Sequence, residues 1–148
     1  MARLTKAQRE WRPGMKKKRR SIKVMFASTV LTLEAFVFLF ATLSVAGLYG
    51  DELGDALVWG IGLGLSAVSI ATCALLQRPA GYWIGWALQV VLIASGFIDY
   101  YFFLIGALFA AAWWYAVTKG AQLDAENKAR DQAQSDWEAR NSAPEHDA

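Results

Sequence analysis

The chain has 148 residues, of which 55% are hydrophobic and 14% aromatic, while only 19% are charged. This composition is unlike that of a soluble domain, and its single cysteine excludes a disulfide framework. The formal net charge of +2 does not indicate nucleic-acid binding either, because the basic cluster at residues 15–23 runs directly into an apolar segment.

Residues 1–23 form a basic arm that holds ten of the 15 lysines and arginines. We expect this arm to contact anionic lipid head groups, since a cation near such a surface contributes about 1 kcal/mol. The transmembrane domain is predicted at residues 24–118. Its four apolar segments are each long enough to cross a bilayer as a helix and have no polar face for water. They are residues 24–48, 57–76, 82–98 and 101–118.

The first apolar segment could also be interpreted as a secretory signal peptide, because Ser44, Val45 and Ala46 resemble a cleavage site. The segment is about twice the length of a usual signal-peptide core and contains Glu34. Cleavage would also leave three spans and disrupt the charge pattern described next. We therefore expect this segment to remain as a transmembrane helix.

Charge predicts the orientation of the four helices. Every lysine and arginine lies in the N-terminal arm, at Arg78 between the second and third segments, or in the C-terminal tail. The other two connections carry only acidic charges, which are Asp51, Glu52, Asp55 and Asp99. The positive-inside rule then places both termini in the cytoplasm. The prediction is an all-α, multi-pass bundle of four membrane helices with both termini in the cytoplasm.

The tail, residues 119–148, is polar and rich in helix-forming residues. Asp124 and Lys128 are four residues apart, a spacing that favours a helix continuing from the fourth span. Ser142, Ala143 and Pro144 should end it. We therefore expect a partly helical cytoplasmic tail whose last residues are disordered.

Glu34 is the most informative residue of the chain, because an acidic side chain near the middle of a membrane helix is costly to bury. Gln89 lies at matching depth in the third helix, and an amide there can form a hydrogen bond across helices. Trp86 lies on the same side of that helix. We predict a buried polar site of Glu34, Gln89 and Trp86, in which Glu34 either couples ion transport or fixes helix pairing.

Small residues four apart occur as Gly60 with Gly64, Gly62 with Ser66, and Gly81 with Gly85. Such pairs let membrane helices approach closely. We found no hydrolase, metal-ligand, redox or nucleotide-binding motif in the sequence. The sequence therefore predicts no catalytic residue, no metal site and no cofactor.

Three stretches together carry a family resemblance: KKKRRSIKVMFASTVLTLEAFVFLFATL, GYWIGWALQVVLIASGF and GALFAAAWWYAVTKGAQLDAE. Over roughly residues 18–126 the chain resembles the small actinobacterial membrane proteins catalogued as domain of unknown function 4233. The resemblance implies four transmembrane helices in the plasma membrane and implies no activity. Small multidrug-resistance transporters share only an outline, with a glutamate in the first of four helices. Many of them have weak charge asymmetry, whereas here the bias is complete.

The function expected from the sequence is therefore that of a non-enzymatic membrane bundle. It would form a homo-oligomer or bind a partner at the cytoplasmic face. The alternative is a small ion-coupled transporter that uses Glu34.

Overall fold

The computed structural model describes residues 19–142, which fold into four helices joined by short turns. The helices are α1 (Ile22–Leu53), α2 (Asp55–Leu75), α3 (Pro79–Ala94) and α4 (Tyr101–Asn141), with a 3-10 turn at Ser95–Phe97 after α3. All four helical segments are long and apolar enough to cross a membrane. The predicted all-α architecture with four membrane helices is thereby confirmed.

The helices form a ring in chain order. Helix α1 packs along α2 and α4, and α3 packs along α4 and α2. Because α1 and α3 are not neighbours in this ring, they face each other across the centre of the bundle. One end of the bundle, called the basic end below, carries Arg19, Arg20, Lys23, Arg78 and Lys119. The opposite, acidic end carries Asp51, Glu52, Asp55 and Asp99.

Five polar side chains lie inside this bundle beside an apolar core, and many large apolar side chains lie on its outside. Glu34, Thr42, Ser69, Thr72 and Gln89 are buried, whereas apolar side chains such as Phe40, Leu104 and Leu108 are largely exposed. A soluble protein does not expose an apolar surface of this extent. In a membrane the same surface faces lipid, so the chain is a multi-pass membrane protein.

The predicted boundaries of the helices were wrong at the acidic end. Residues 49–56 were expected to form a loop, but α1 continues to Leu53 and α2 begins at Asp55, which leaves only Gly54 between them. Gly54 has φ 84°, a conformation that glycine adopts without strain, and its N–H donates to the Gly50 carbonyl at 2.8 Å. Asp51 and Glu52 therefore lie inside α1, and Asp55 is the first residue of α2.

The structure also changes the predicted limits of α3. Helix α3 begins at Pro79, where a proline suits the first helical turn, and the expected end at residue 98 is replaced by the 3-10 turn. Helix α4 runs without a break from Tyr101 to Asn141, so the helix predicted to continue from the fourth span into the tail is confirmed, and it ends at the expected Ser142. Residues 1–18 of the basic arm and the tail end at 143–148 lie outside the described residues.

Close helix contacts depend on glycines that face a neighbouring helix. A Cβ added to Gly106 of α4 would lie 2.8 Å from the Ile93 Cα of α3. A Cβ added to Gly120 would lie 2.5 Å from the Lys23 Cα of α1. Both distances are shorter than carbon atoms tolerate, so α4 can approach α3 and α1 this closely only because these positions are glycine.

Candidate functional site

One hydrogen bond between side chains crosses the centre of the bundle. Gln89 Nε2 on α3 donates to Glu34 Oε2 on α1 over 2.9 Å. Glu34 is 0% exposed and Gln89 is 1% exposed. The structure therefore brings together the two residues that the sequence paired, and it does so between helices that are not neighbours in the ring.

Apolar side chains surround this bond. Leu31 and Phe38 lie about one helical turn on either side of Glu34, and Leu88 and Leu92 flank Gln89 in the same buried cluster. A hydrogen bond in such an environment is electrostatically stronger than in water, and an unpaired charge there is correspondingly costly. The bond thus fixes α1 against α3 at one register.

Three buried polar atoms at this level have no hydrogen-bond partner within residues 19–142: Glu34 Oε1, Gln89 Oε1 and Trp113 Nε1. Two of them are acceptors on the two side chains that are already joined. A proton carried by the Glu34 carboxyl would add a second donor to this pair of side chains.

The structure does not place Trp86 in this buried group, because its side chain is 40% exposed on the outside of α3. The tryptophan that is buried instead is Trp113 of α4, which is 0% exposed. Its ring lies against Gly85, one turn before Gln89, where an added Cβ would come within 2.1 Å of the indole. Trp113 was not among the predicted site residues, and the facing Gly85 is the sequence signal for a ring inserted there.

A second polar site lies at the basic end, where Asp124 of α4 caps the first turn of α1. Its carboxylate accepts hydrogen bonds from the Ser21 hydroxyl, from the Ile22 N–H at 2.7 Å and from the Lys23 N–H at 3.2 Å. The first N–H groups of a helix have no partner within the helix and carry partial positive charge. The Asp124 carboxylate accepts hydrogen bonds from these N–H groups, and its negative charge is attracted to their partial positive charge.

The sequence did not indicate this role for Asp124. Its spacing to Lys128 suggested a local pair on one helix, whereas the structure directs the carboxylate to α1. Gly120, one turn earlier, allows α4 to approach α1 closely enough for these bonds. Gly120 and Asp124 together therefore make this contact, which only the structure shows.

Burial raises the pKa of Asp124, but the hydrogen bonds from Ser21, Ile22 and Lys23, together with the nearby Lys23 charge, lower it more. The net direction is a pKa below the ordinary value for aspartate. Asp124 is therefore held as a carboxylate in the folded protein.

Two weaker contacts join the same end of the bundle. The Lys23 ammonium lies 4.0 Å above the Tyr82 ring of α3, and Arg19 pairs with Asp131 of α4 at 3.6 Å. The start of α1 is thus attached to both α3 and α4. In residues 19–142 no group of three histidine, cysteine or acidic side chains is placed to hold a metal ion.

Comparison with protein families matches residues 25–129 to the family described as "Protein of unknown function (DUF4233)". The matched range contains Glu34, Gln89, Trp113 and Asp124. No curated protein and no solved structure matches the chain.

A double-mutant cycle measures the central bond. Glu34→Leu leaves Gln89 buried without its partner, and Gln89→Leu does the same to Glu34. Each is expected to lower the free energy of unfolding by about 1–3 kcal/mol. The double variant should lose less than the sum, with a coupling of roughly 0.6–1.7 kcal/mol. Unfolding of bilayer- or micelle-reconstituted protein, followed by circular dichroism, gives all four values.

Glu34→Gln is the control for that cycle, since an amide of the same size can still bond Gln89. It should unfold close to the wild type. Strictly additive losses for the two leucine variants would show that the two side chains do not interact.

Asp124→Asn tests the cross-helix cap. Because the folded pKa lies below the unfolded value of 3.8, the carboxylate stabilises the fold above that pH. This contribution is lost as pH falls through the folded pKa. We expect Asp124→Asn to lower stability at pH 7 by about 0.5–2 kcal/mol, the usual range for a lost cap. Melting curves at pH 7 and pH 3 should also show a smaller acid loss than in the wild type.

Asp136→Asn makes the same change of charge at an exposed position of α4 and should leave both curves unchanged. Equal effects of the two substitutions would indicate general charge repulsion rather than a cap.

Proposed function

The chain belongs to this family, whose description supplies no activity, and we propose from the geometry that it is a non-enzymatic membrane protein that pairs with a second copy through the outer face of α2. The polar extension of α4 would then present a second surface to a partner in the cytoplasm. The observation that carries the proposal is a set of small residues on α2 that nothing in the bundle covers.

Helix α2 contributes little to the interior of the bundle. Its buried residues are Ser69 and Thr72. At 100° per residue the opposite face carries small side chains over five turns, and all of them are exposed. They are Ala56, Gly60, Gly64, Ala67, Ala71 and Ala74.

The other two small-residue pairs are already used inside the bundle. Gly62 lies against the Thr42 side chain, and Ser66 donates to the Ala35 carbonyl of α1 at 2.9 Å. Gly81 and Gly85 lie against the end of α2 and the Trp113 ring. A Cβ added to Gly60 or Gly64 would meet no atom within 4 Å. Of the three small-residue pairs, Gly60 with Gly64 is therefore the one that contacts no other helix of the bundle.

Small residues gain little by facing lipid, whereas they allow two helix backbones to approach closely. A face of this kind is also complementary to itself, so a two-fold dimer requires no different partner surface. At about 1.5 Å per residue the small face extends for roughly 27 Å, which is most of the thickness of the hydrocarbon core. This length supports a pairing of whole membrane helices.

The separation of charge between the two ends supports a bacterial plasma membrane with both termini in the cytoplasm. Arg78 and Lys119 lie at the end where α1 begins, and Asp51, Glu52 and Asp99 lie at the other. Positive charge is retained on the cytoplasmic side during insertion. In this orientation the basic arm would contact anionic head groups, and α4 would extend beyond the membrane to Asn141.

The alternative is a small ion-coupled transporter that uses Glu34. The unpartnered oxygens of Glu34 and Gln89 favour it, because they could accept a transported proton. Transport would require water to reach Glu34. Leu31 and Phe38 of α1, together with Leu88 and Leu92 of α3, pack around the bond between Glu34 and Gln89. This apolar environment favours the packing role.

Gly64→Leu tests the proposed dimer. A leucine on this face should keep the two helices apart and weaken association at least about tenfold, equivalent to about 1.4 kcal/mol. Subunit counting by single-molecule photobleaching, over a series of protein-to-lipid ratios, measures the dimer fraction.

Gly47→Leu is the matched control, because Gly47 of α1 is also exposed and also has open space around its Cα. It should leave the dimer fraction unchanged, and circular dichroism should show both variants as helical as the wild type. A wild type that stays monomeric at every ratio would overturn the proposal, as would equal losses in the two variants.

A further inference from the structure

A cleft of about 1090 Å³ opens at the basic end, between the start of α1 and the turn that joins α2 to α3. Four cationic side chains line it. Arg19 and Arg20 precede α1, Lys23 lies in its first turn, and Arg78 lies in the turn between α2 and α3. The described residues that line it include no carboxylate. Cations from two separate parts of the chain thus converge on one concave surface.

The carboxylates nearest to this cleft are already engaged elsewhere. Asp131 pairs with Arg19, and Asp124 is bonded to the first turn of α1. Within residues 19–142 neither Arg20 nor Arg78 forms an ion pair. The positive charge of Arg20 and Arg78 is therefore not neutralised by an ion pair in the part of the protein that the structure describes, whereas Lys23 lies near the Asp124 carboxylate.

Lys23 is held in place before any ligand arrives. Its ammonium lies 4.0 Å above the Tyr82 ring, its N–H is bonded to Asp124, and its backbone packs against Gly120. A fixed cation loses less side-chain entropy on binding than a free one does. This distinguishes the cleft from a set of mobile surface charges.

The rest of the lining is apolar. Val24, Met25, Leu76 and Pro79 lie in the wall of the cleft, next to the level at which the helices enter hydrocarbon. A ligand that fits this surface has an anionic group for the cations and tolerates apolar neighbours. Arginine side chains bind phosphate through two parallel hydrogen bonds, which makes phosphate the anion best matched to Arg20 and Arg78.

We propose that this cleft binds a phosphate group through Arg20, Lys23 and Arg78. The phosphate could belong to the head group of an anionic phospholipid or to a soluble anion, and the recognition chemistry is the same. The site is distinct from diffuse attraction between the basic arm and a charged membrane, since it requires Arg78, which is distant from the arm in sequence.

Native mass spectrometry of the full chain in neutral detergent tests this proposal, with phosphatidylglycerol as the probe and phosphatidylcholine as the uncharged reference. The wild type should retain phosphatidylglycerol saturably, with one molecule bound first. Removing one cation near a lipid head group costs about 1 kcal/mol, so Arg78→Gln and Arg20→Gln should each weaken that binding about fivefold.

Arg130→Gln is the matched control, because it removes the same charge from an exposed position of α4 that does not line the cleft. It should change the affinity for phosphatidylglycerol by less than about twofold, because salt screens an exposed charge at a distance from the cleft. Circular dichroism should show all three variants folded.

Inorganic phosphate at millimolar concentration distinguishes the two sources. If it displaces the lipid and its own binding depends on Arg78, the site recognises the free anion as well. If the lipid stays bound, the site is specific for a lipid head group. Either result supports a phosphate-binding site in the cleft. Equal weakening by Arg78→Gln and Arg130→Gln would overturn the proposal, as would binding that never saturates.

Discussion

The hydrogen bond between Glu34 and Gln89 is the constraint on which the arrangement of the helices depends. It joins α1 and α3, which are not neighbours, through the apolar centre of the bundle. Apolar side chains alone discriminate weakly between registers in a membrane, since lipid is as apolar as they are. A buried polar pair does discriminate, because any shift along either helix leaves two polar side chains without a partner.

The contacts at the basic end complete this arrangement. Asp124 attaches the extension of α4 to the first turn of α1, and Lys23 attaches that turn to Tyr82 of α3. Three helices thus meet where charges can be hydrated, whereas α2 is held mainly by small-residue contacts with α1. This difference agrees with the exposed face of small residues on α2.

Much of this could be predicted from the sequence. Apolar length and charge placement predicted four helices, and the equal depth of Glu34 and Gln89 predicted their pairing. The end of α4 near Ser142 could be predicted, whereas the turn at Gly54 could not, because acidic residues such as Asp51 suit a loop and the last turn of a helix equally. Trp86 was predicted in the buried site in place of Trp113, since tryptophan suits both a membrane interface and a buried gap opposite a glycine. The cap by Asp124 joins residues about 100 apart, which no local pattern contains.

The most direct test of this account is a solid-state NMR measurement on the protein in lipid bilayers, with Gln89 labelled at Nε2 and Glu34 labelled at Cδ. The account predicts a measurable dipolar coupling between the two labels, because Nε2 lies 2.9 Å from Oε2, which is bonded to the labelled Cδ. It also predicts no magnetisation transfer from water to Glu34. Absence of the coupling, together with transfer from water to the Glu34 carboxyl, would contradict it and would favour the transporter alternative.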